Sequence, residues 1–161
     1  MTIRMLVMDV DGTLTDGRIH IGADGELFKS FDVKDGYGIK QICKKYGIIT
    51  VIITGRESKI VEIRSNELEI DEVHQAVSDK KSVLIALSSK YGLKPIQIAY
   101  VGDDLNDLSA IEYVGTSFAP SDSHPKVKER VNHVLHSAGG HGAVRECIDI
   151  IIDDIENPKT N

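Results

Sequence analysis

With 161 residues, 41% hydrophobic and 27% charged, the chain has the length and balance of one globular domain able to bury its own core without disulfide or metal staples. No stretch approaches the roughly 18 continuous apolar residues of a membrane span, and a net charge of −6 argues against a nucleic-acid surface. The N-terminus lacks the long apolar region and small-residue cleavage site of a secretory signal, so a cytoplasmic protein with neither membrane nor nucleic-acid partner is expected.

The first element is Met5-Leu6-Val7-Met8, an apolar run suited to a central parallel strand buried on both faces. It leads into Asp9-Val10-Asp11-Gly12-Thr13. In a strand that ran on regularly, Asp9 and Asp11 would share a side, and such carboxylates repel each other and lose hydration unless a cation lies between them. A hard divalent ion such as Mg²⁺ meets that need; the plainer reading is a strand exit with solvated acids. Arg18-Ile19-His20-Ile21 and Glu26 to Phe31 alternate around Gly22-Ala23-Asp24-Gly25, which predicts a β-hairpin flap over 17–31. Asp35-Gly36-Tyr37-Gly38 then leads into a helix carried by Ile39, Ile42, Cys43 and Tyr46 and stopped at Gly47.

A buried strand is expected over 48–53, ending at Thr54-Gly55-Arg56, then a helix and a short strand near Val73. Lys80 to Tyr91 has amphipathic helical spacing, with Gly92 beyond its end. Strands follow at 96–101, 114–119 and 131–135, with a short helix after Pro125. The glycine-rich segment 138–143 precedes a last helix over about 144–155, and 156–161 reads as a flexible tail. Cys43 and Cys147 fall within apolar helical patterns and read as buried thiols.

Strands alternating with helices predict an α/β fold: a three-layer, Rossmann-like open sheet, mostly parallel, forming one domain over 1–161. Ligands in such folds bind at the carboxyl ends of the strands. The polar endings at Asp9, Thr54 and Asp103 each follow a strand and should meet there. A phosphate ester docked beside Mg²⁺ would find a hydroxyl and an amide at Thr54 and Gly55 and a compact cation at Lys80. A carboxylate such as Asp9 could then attack phosphorus, with Asp11 trading the protons. Taken singly, Thr54 reads equally as a helix cap, Lys80 as a solvated helix residue, and Asp103 and Asp104 as caps of the helix near Leu105.

Asp9-Val10-Asp11-Gly12-Thr13, Ile53-Thr54-Gly55-Arg56, Lys80 and Gly102-Asp103-Asp104-Leu105-Asn106-Asp107 together resemble, in order, the four motifs of the haloacid dehalogenase superfamily of phosphatases. That resemblance implies Asp9 as nucleophile, Asp11 as general acid/base, Thr54 and Lys80 as phosphate binders, and Mg²⁺ held by Asp9, the Asp11 backbone carbonyl and Asp103. Phe31 to Gly38, Tyr100 to Asp104 and Ala138 to Glu146 resemble more narrowly the 3-deoxy-D-manno-octulosonate 8-phosphate phosphatases of lipopolysaccharide synthesis. This implies that Asp11, Asp32, Val33, Lys34, Asp35, Gly36, Lys40, Gly55, Arg56, Arg64 and Lys80 bind the sugar acid or its phosphate. Several cations suit a substrate bearing both carboxylate and phosphate.

His141 stands where many such enzymes carry arginine, and Thr13-Leu14-Thr15 replaces their common Gly-Val-Leu or Gly-Val-Trp. Arg56 stands where related phosphatases of nine-carbon sugar acids can carry Glu. No segment is long enough for a cap domain, so the edge of a lone chain would lie open to water. A homo-oligomer is expected, by resemblance a homotetramer, with the flap and C-terminal segment of one subunit shaping a neighbour's site. Three other readings stand beside the eight-carbon phosphatase: a nine-carbon sugar-acid 9-phosphate phosphatase, a phosphoacceptor receiver domain, and a non-catalytic assembly module.

Overall fold

A computed structural model describes residues 2–158. Strand β1 (Met5–Met8) lies at the middle of a six-stranded sheet whose neighbouring pairs are all parallel. On one side it pairs with β4 (Ile49–Ile53), outside which lies β5 (Glu72–His74). On the other it pairs with β6 (Ile98–Val101), followed outward by β7 (Thr116–Ala119) and β8 (His133–Val134). Met5 sits opposite both Ile49 and Ile98, and the register runs unbroken to Met8 opposite Ile52 and Val101. Every residue of β1 and β6 is buried, as an apolar run covered on both faces requires.

The alternation of these strands divides the core. Leu6, Met8, Ile52, Ala99, Val101 and Phe118 pack on one face with Ile39, Val61, Val144 and Ile148, whereas Met5, Val7, Ile53, Ile98 and Tyr100 pack on the other with Leu84, Leu87, Ile111 and Val127. The first face carries α1 (Val33–Tyr37), α2 (Lys59–Leu68) and α6 (Ala143–Glu156). The second carries α3 (Lys80–Tyr91), α4 (Leu108–Ile111) and α5 (Pro125–Lys128). The result is the three-layer Rossmann-like arrangement, with no cap domain among the described residues. The hairpin of β2 (His20–Gly22) and β3 (Gly25–Phe28) stands apart as a separate two-stranded sheet.

Local chemistry sets the helix ends. Ser58 caps α2 through the Val61 amide, Asp79 caps α3 through the Ser82 amide, and Gly92 closes α3 in the left-handed conformation at φ 62°. The region 33–43 departs from expectation: Asp35 to Gly38 are helical, not a lead-in. Asp32 accepts the Lys34 amide at 2.7 Å and starts α1 early, and the chain continues into π-helical turns over Gly38–Cys43. Glycines persist inside this helix because neighbours press on them. A Cβ at Gly36 would lie 2.5 Å from Arg64, and one at Gly38 would lie 3.0 Å from both Arg145 and Ile148. The strands expected at 96–101 and 131–135 are shorter, the first because Pro95–Gln97 forms a 3₁₀ turn whose Pro95 carbonyl accepts the Gly115 amide. Helix α6 extends to Glu156; of the expected tail, residues 159–161 lie outside the described residues. Cys43 and Cys147 are buried unpaired thiols, and burial pushes the Cys43 thiol up to about 12.

Candidate active site

Asp9 directly continues β1, donating its amide to the Val101 carbonyl at 3.0 Å. There the regular strand ends. The Val10 carbonyl accepts the amides of Thr13, Leu14 and Thr15 within 3.1 Å, so the chain coils tightly, and Gly12 takes φ 92°. The expected alternation that would set the Asp9 and Asp11 side chains together is therefore absent. Asp9 turns into the cluster, and Asp11 turns toward the hairpin. Gly12 also gives room to the loop after β6, since a Cβ there would lie 2.0 Å from Asp103 Oδ2. Thr13 Oγ1 donates to Asp103 Oδ1 at 3.0 Å and joins the two loops.

Behind them, Lys80 opens α3 with its side chain almost wholly buried. Its Nζ donates to Asp9 Oδ1 at 2.8 Å and to Asp107 Oδ1 at 2.6 Å. Asp107 is buried and receives the Tyr100 hydroxyl at 2.6 Å on the same oxygen. Its other oxygen accepts the amides of Asp103 at 2.9 Å and Asp104 at 3.1 Å. Asp107 thus fixes both the lysine and the turn that presents Asp103. The loop after β4 closes a third side: buried Thr54 donates its amide to the His74 carbonyl at 2.9 Å, and Gly55 borders the Asn106 side chain.

The electrostatics call for a cation. Carboxylate oxygens of Asp9, Asp103 and Asp107 lie within 4.8 Å of one another. Three carboxylates face one ammonium, leaving two negative charges unmatched if all ionise. Burial, followed by repulsion from Asp107, pushes Asp9 up to about 6 despite Lys80 beside it. Burial and the charges of Asp9 and Asp107 push Asp103 up to about 8. Burial works against the Lys80 charge, but Asp9 and Asp107 outweigh it and raise its pKa. Hard oxygen donors crowded at such an excess of negative charge suit Mg²⁺.

The segment 57–147 matches the family of haloacid dehalogenase-like hydrolases. Over 151 residues, 93% of this chain and 79% of the relative, the sequence is 46% identical to 3-deoxy-D-manno-octulosonate 8-phosphate phosphatase KdsC of Salmonella typhi. The chain belongs to this phosphatase family. The cobalt-bound phosphatase of Haemophilus influenzae superposes with a TM-score of 0.91 at 41% identity, over 94% of this chain and 88% of that one. The Moraxella catarrhalis phosphatase, in complex with magnesium, phosphate and KDO, superposes with a TM-score of 0.90 at 38% identity, over 94% of this chain and 86% of that one.

Within this phosphatase fold the remaining expected residues fall into two groups. Asp11 and Arg56 stand at the same edge as Asp9, with Lys29 Nζ 2.6 Å from Asp11 Oδ1 and Arg56 Nε 3.9 Å from Asp11 Oδ2. The other group lies along α1 and α2. Asp32 and the buried Asp35 are helix-end groups: Asp35 Oδ1 accepts the Arg145 amide at 2.8 Å at the start of α6, and burial pushes its pKa up to about 6. Asp35, Gly36 and Arg64 line one small pocket with Ser65, where Asp35 Oδ2, Arg64 Nε and Ser65 Oγ have no protein partner. Val33 and Lys34 are exposed. Lys40 lies beyond the far end of α2, held by the Glu67 carbonyl at 2.8 Å and Glu69 at 3.1 Å, so one protomer does not bring it to Asp9.

Four contributors were given no role by the sequence reading. Asp107 was quoted there as the end of the fourth motif, and its place one helical turn beyond Asp103 made its role legible. Tyr100 was hidden as a strand residue, and Lys29 and Glu26 as alternating residues of a hairpin. Lys29 is buried between Asp11 and Glu26; burial works against its charge, but the hydrogen bond to Asp11 and the ion pair with Glu26 hold its pKa above the usual lysine value. The glycine-rich segment proved to be a wall of the Asp9 loop: Gly140 donates its amide to the Thr13 carbonyl at 3.1 Å, and a Cβ at Gly139 would lie 1.9 Å from the Gly12 carbonyl oxygen.

Proposed function

We propose that this protein is a Mg²⁺-dependent phosphatase that hydrolyses 3-deoxy-D-manno-octulosonate 8-phosphate to the free sugar acid and phosphate in lipopolysaccharide precursor synthesis. The observation that carries this reading is the meeting of Asp9, Asp103, Asp107 and Lys80 in a buried cluster, in a chain of this phosphatase family. The relative from Moraxella catarrhalis binds magnesium, phosphate and KDO, the same three chemical partners.

In this reading Asp9, Asp103 and the Asp11 backbone carbonyl hold the metal. Once bound, the ion offsets the carboxylate charge and draws in the phosphoryl group. Lys80 holds one Asp9 oxygen, leaving the other to attack phosphorus. As that oxygen bonds to phosphorus, the ester P–O bond breaks and Asp11 gives its proton to the departing sugar alkoxide. Asp11 then takes a proton from water as the water oxygen attacks the aspartyl phosphate; the bond to Asp9 breaks, phosphate leaves and both carboxyl groups are restored. Thr54, the Gly55 amide and Lys80 steady the phosphoryl oxygens. Arg56 serves the substrate's anionic groups, and Asp32 to Gly36, Arg64 and, from a neighbouring subunit, Lys40 are read as contacts of the sugar acid.

The same reading takes 1–161 as one domain and the working form as a homotetramer. Its support is the apolar surface of the flap region: Ile21 is 68% exposed, Leu27 63% and the nearby Val33 78%. A neighbour seated there would cover the open edge and bring its own α1 residues close. Two unpaired buried thiols suit a reducing compartment, and we place the protein in the cytoplasm.

The test is phosphate release with Mg²⁺ from the eight-carbon 8-phosphate, nine-carbon sugar-acid 9-phosphates and hexose phosphates. The expected outcome is a large kcat/KM preference for the eight-carbon ester. A preference for nine-carbon esters would move the assignment to sialic-acid-type synthesis, and uniformly feeble rates would favour an assembly module.

A further inference from the structure

Lys29 follows β3 and sends its ammonium inward, with a side chain only 1% exposed. Nζ lies 2.6 Å from Asp11 Oδ1 and 2.9 Å from Glu26 Oε1, and the other oxygen of Glu26 accepts the hydroxyl of Ser58, the cap of α2. The two oxygens of Asp11 therefore meet unequal partners. Oδ1 is gripped by a buried ammonium, whereas among the described residues Oδ2 has only the Arg56 guanidinium as a charged partner, at 3.9 Å and on a side chain 51% exposed. A carboxylate that trades protons at phosphorus must present one oxygen repeatedly at hydrogen-bond reach, and an oxygen held by a fixed partner restricts the swing of the other.

We infer that Lys29 is a positioning residue for the reaction: it pins Asp11 Oδ1 so that Oδ2 is presented to the leaving group and then to water. The inference rests on the phosphatase reading above. It gives the flap a task within its own subunit, distinct from covering a neighbour. A buried ammonium with two carboxylates on it is poorly placed to collect a phosphate from solvent, so its loss should change turnover far more than affinity.

The experiment compares wild type, Lys29→Met, Lys29→Gln, Lys29→Arg and Ser58→Ala on two esters in Mg²⁺. One is the eight-carbon 8-phosphate, whose alkoxide needs a proton to leave. The other is p-nitrophenyl phosphate, whose phenolate leaves without one. For Lys29→Met the expected result is a fall in kcat on the alkyl ester of about 10- to 100-fold with KM within about twofold. On the aryl ester a rapid-quench burst of nitrophenolate should appear, because phosphorylation of Asp9 escapes the defect while hydrolysis of the aspartyl phosphate does not. Lys29→Arg should recover most of the rate. Lys29→Gln, which keeps a donor and most of the volume, should show a smaller loss with the same burst, and it carries the test if Lys29→Met fails to fold. Ser58→Ala releases the flap anchor without touching Lys29 and should keep kcat near wild type.

Unchanged kcat in the folded Lys29 variants, a rise in KM alone, or equal losses on both esters without a burst would overturn the inference. So would a Ser58→Ala defect as large as that of Lys29→Met. A wild type that releases phosphate from neither ester would instead refute the phosphatase reading.

Discussion

The edge of β1, β6 and α3 and the hairpin flap lie within one ion pair of each other, yet they are built on opposite principles. At the edge, each charged group has several partners: Asp107 alone receives Lys80, Tyr100 and two backbone amides, and glycine at 12 and 139 lets three loops meet at near-backbone contact. The flap has two short strands, exposed apolar side chains, and a seat made by Lys29, Glu26 and Ser58. An isolated hairpin is marginal in water, so its order depends on what it touches. The edge thus holds its reacting groups by several partners each, whereas the flap touches it through Lys29 and leaves its apolar side chains open.

This contrast can be broken first at the edge. Asp9→Asn should abolish phosphate release, by on the order of 10⁴-fold or more, with thermal unfolding showing an intact fold. Gly139→Ala should cost about 10²-fold in kcat, because a methyl group 1.9 Å from the Gly12 carbonyl forces the Asp9 loop to shift; normal kinetics would show the wall to be soft. Metal removal sharpens the same point through pH. Asp9 and Asp103 are raised in the folded state, so the folded chain binds protons more tightly than the unfolded one, and stability without metal falls as pH rises through about 6 and about 8. Mg²⁺ should offset that loss, raising Tm little at pH 5 and on the order of 5 °C at pH 8 in thermal unfolding with and without EDTA. The smallest effect belongs to the flap: Leu27→Asp should shift light scattering toward smaller species and lower kcat/KM by about tenfold, leaving Tm of the core unchanged.

Much of the edge was legible because its signals are local. Asp9, Thr54, Lys80 and Asp103 each sit where an apolar run or a helical period begins or ends, and a parallel sheet sends all strand ends to one side. Strand pairing around Met5–Met8 followed from its unbroken apolar character. The partners of Asp11 were illegible for the opposite reason: whether its carboxylate points at Asp9 or at Lys29 depends on the coil that begins after Asp9, and alternation breaks down there. Asp35 and Lys40 likewise lie in helical sequence whose facing partners, Arg145 and Glu69, are distant in the chain. The early start of α1 was masked by Gly36 and Gly38, which weaken helix propensity and are tolerated because Arg64 and α6 lie against them.

The contact of Gly139 and Gly140 with the Gly12 loop also has a consequence for synthesis. More than a hundred residues separate the Gly12 loop from the wall behind it, so all the chain between them must emerge before that loop is enclosed. Pairing so distant in sequence pays its loop-closure entropy late and slows folding. A chain that stops short of Gly139 can hold the acidic motif and still lack its back wall, so hydrolysis waits on synthesis of that segment.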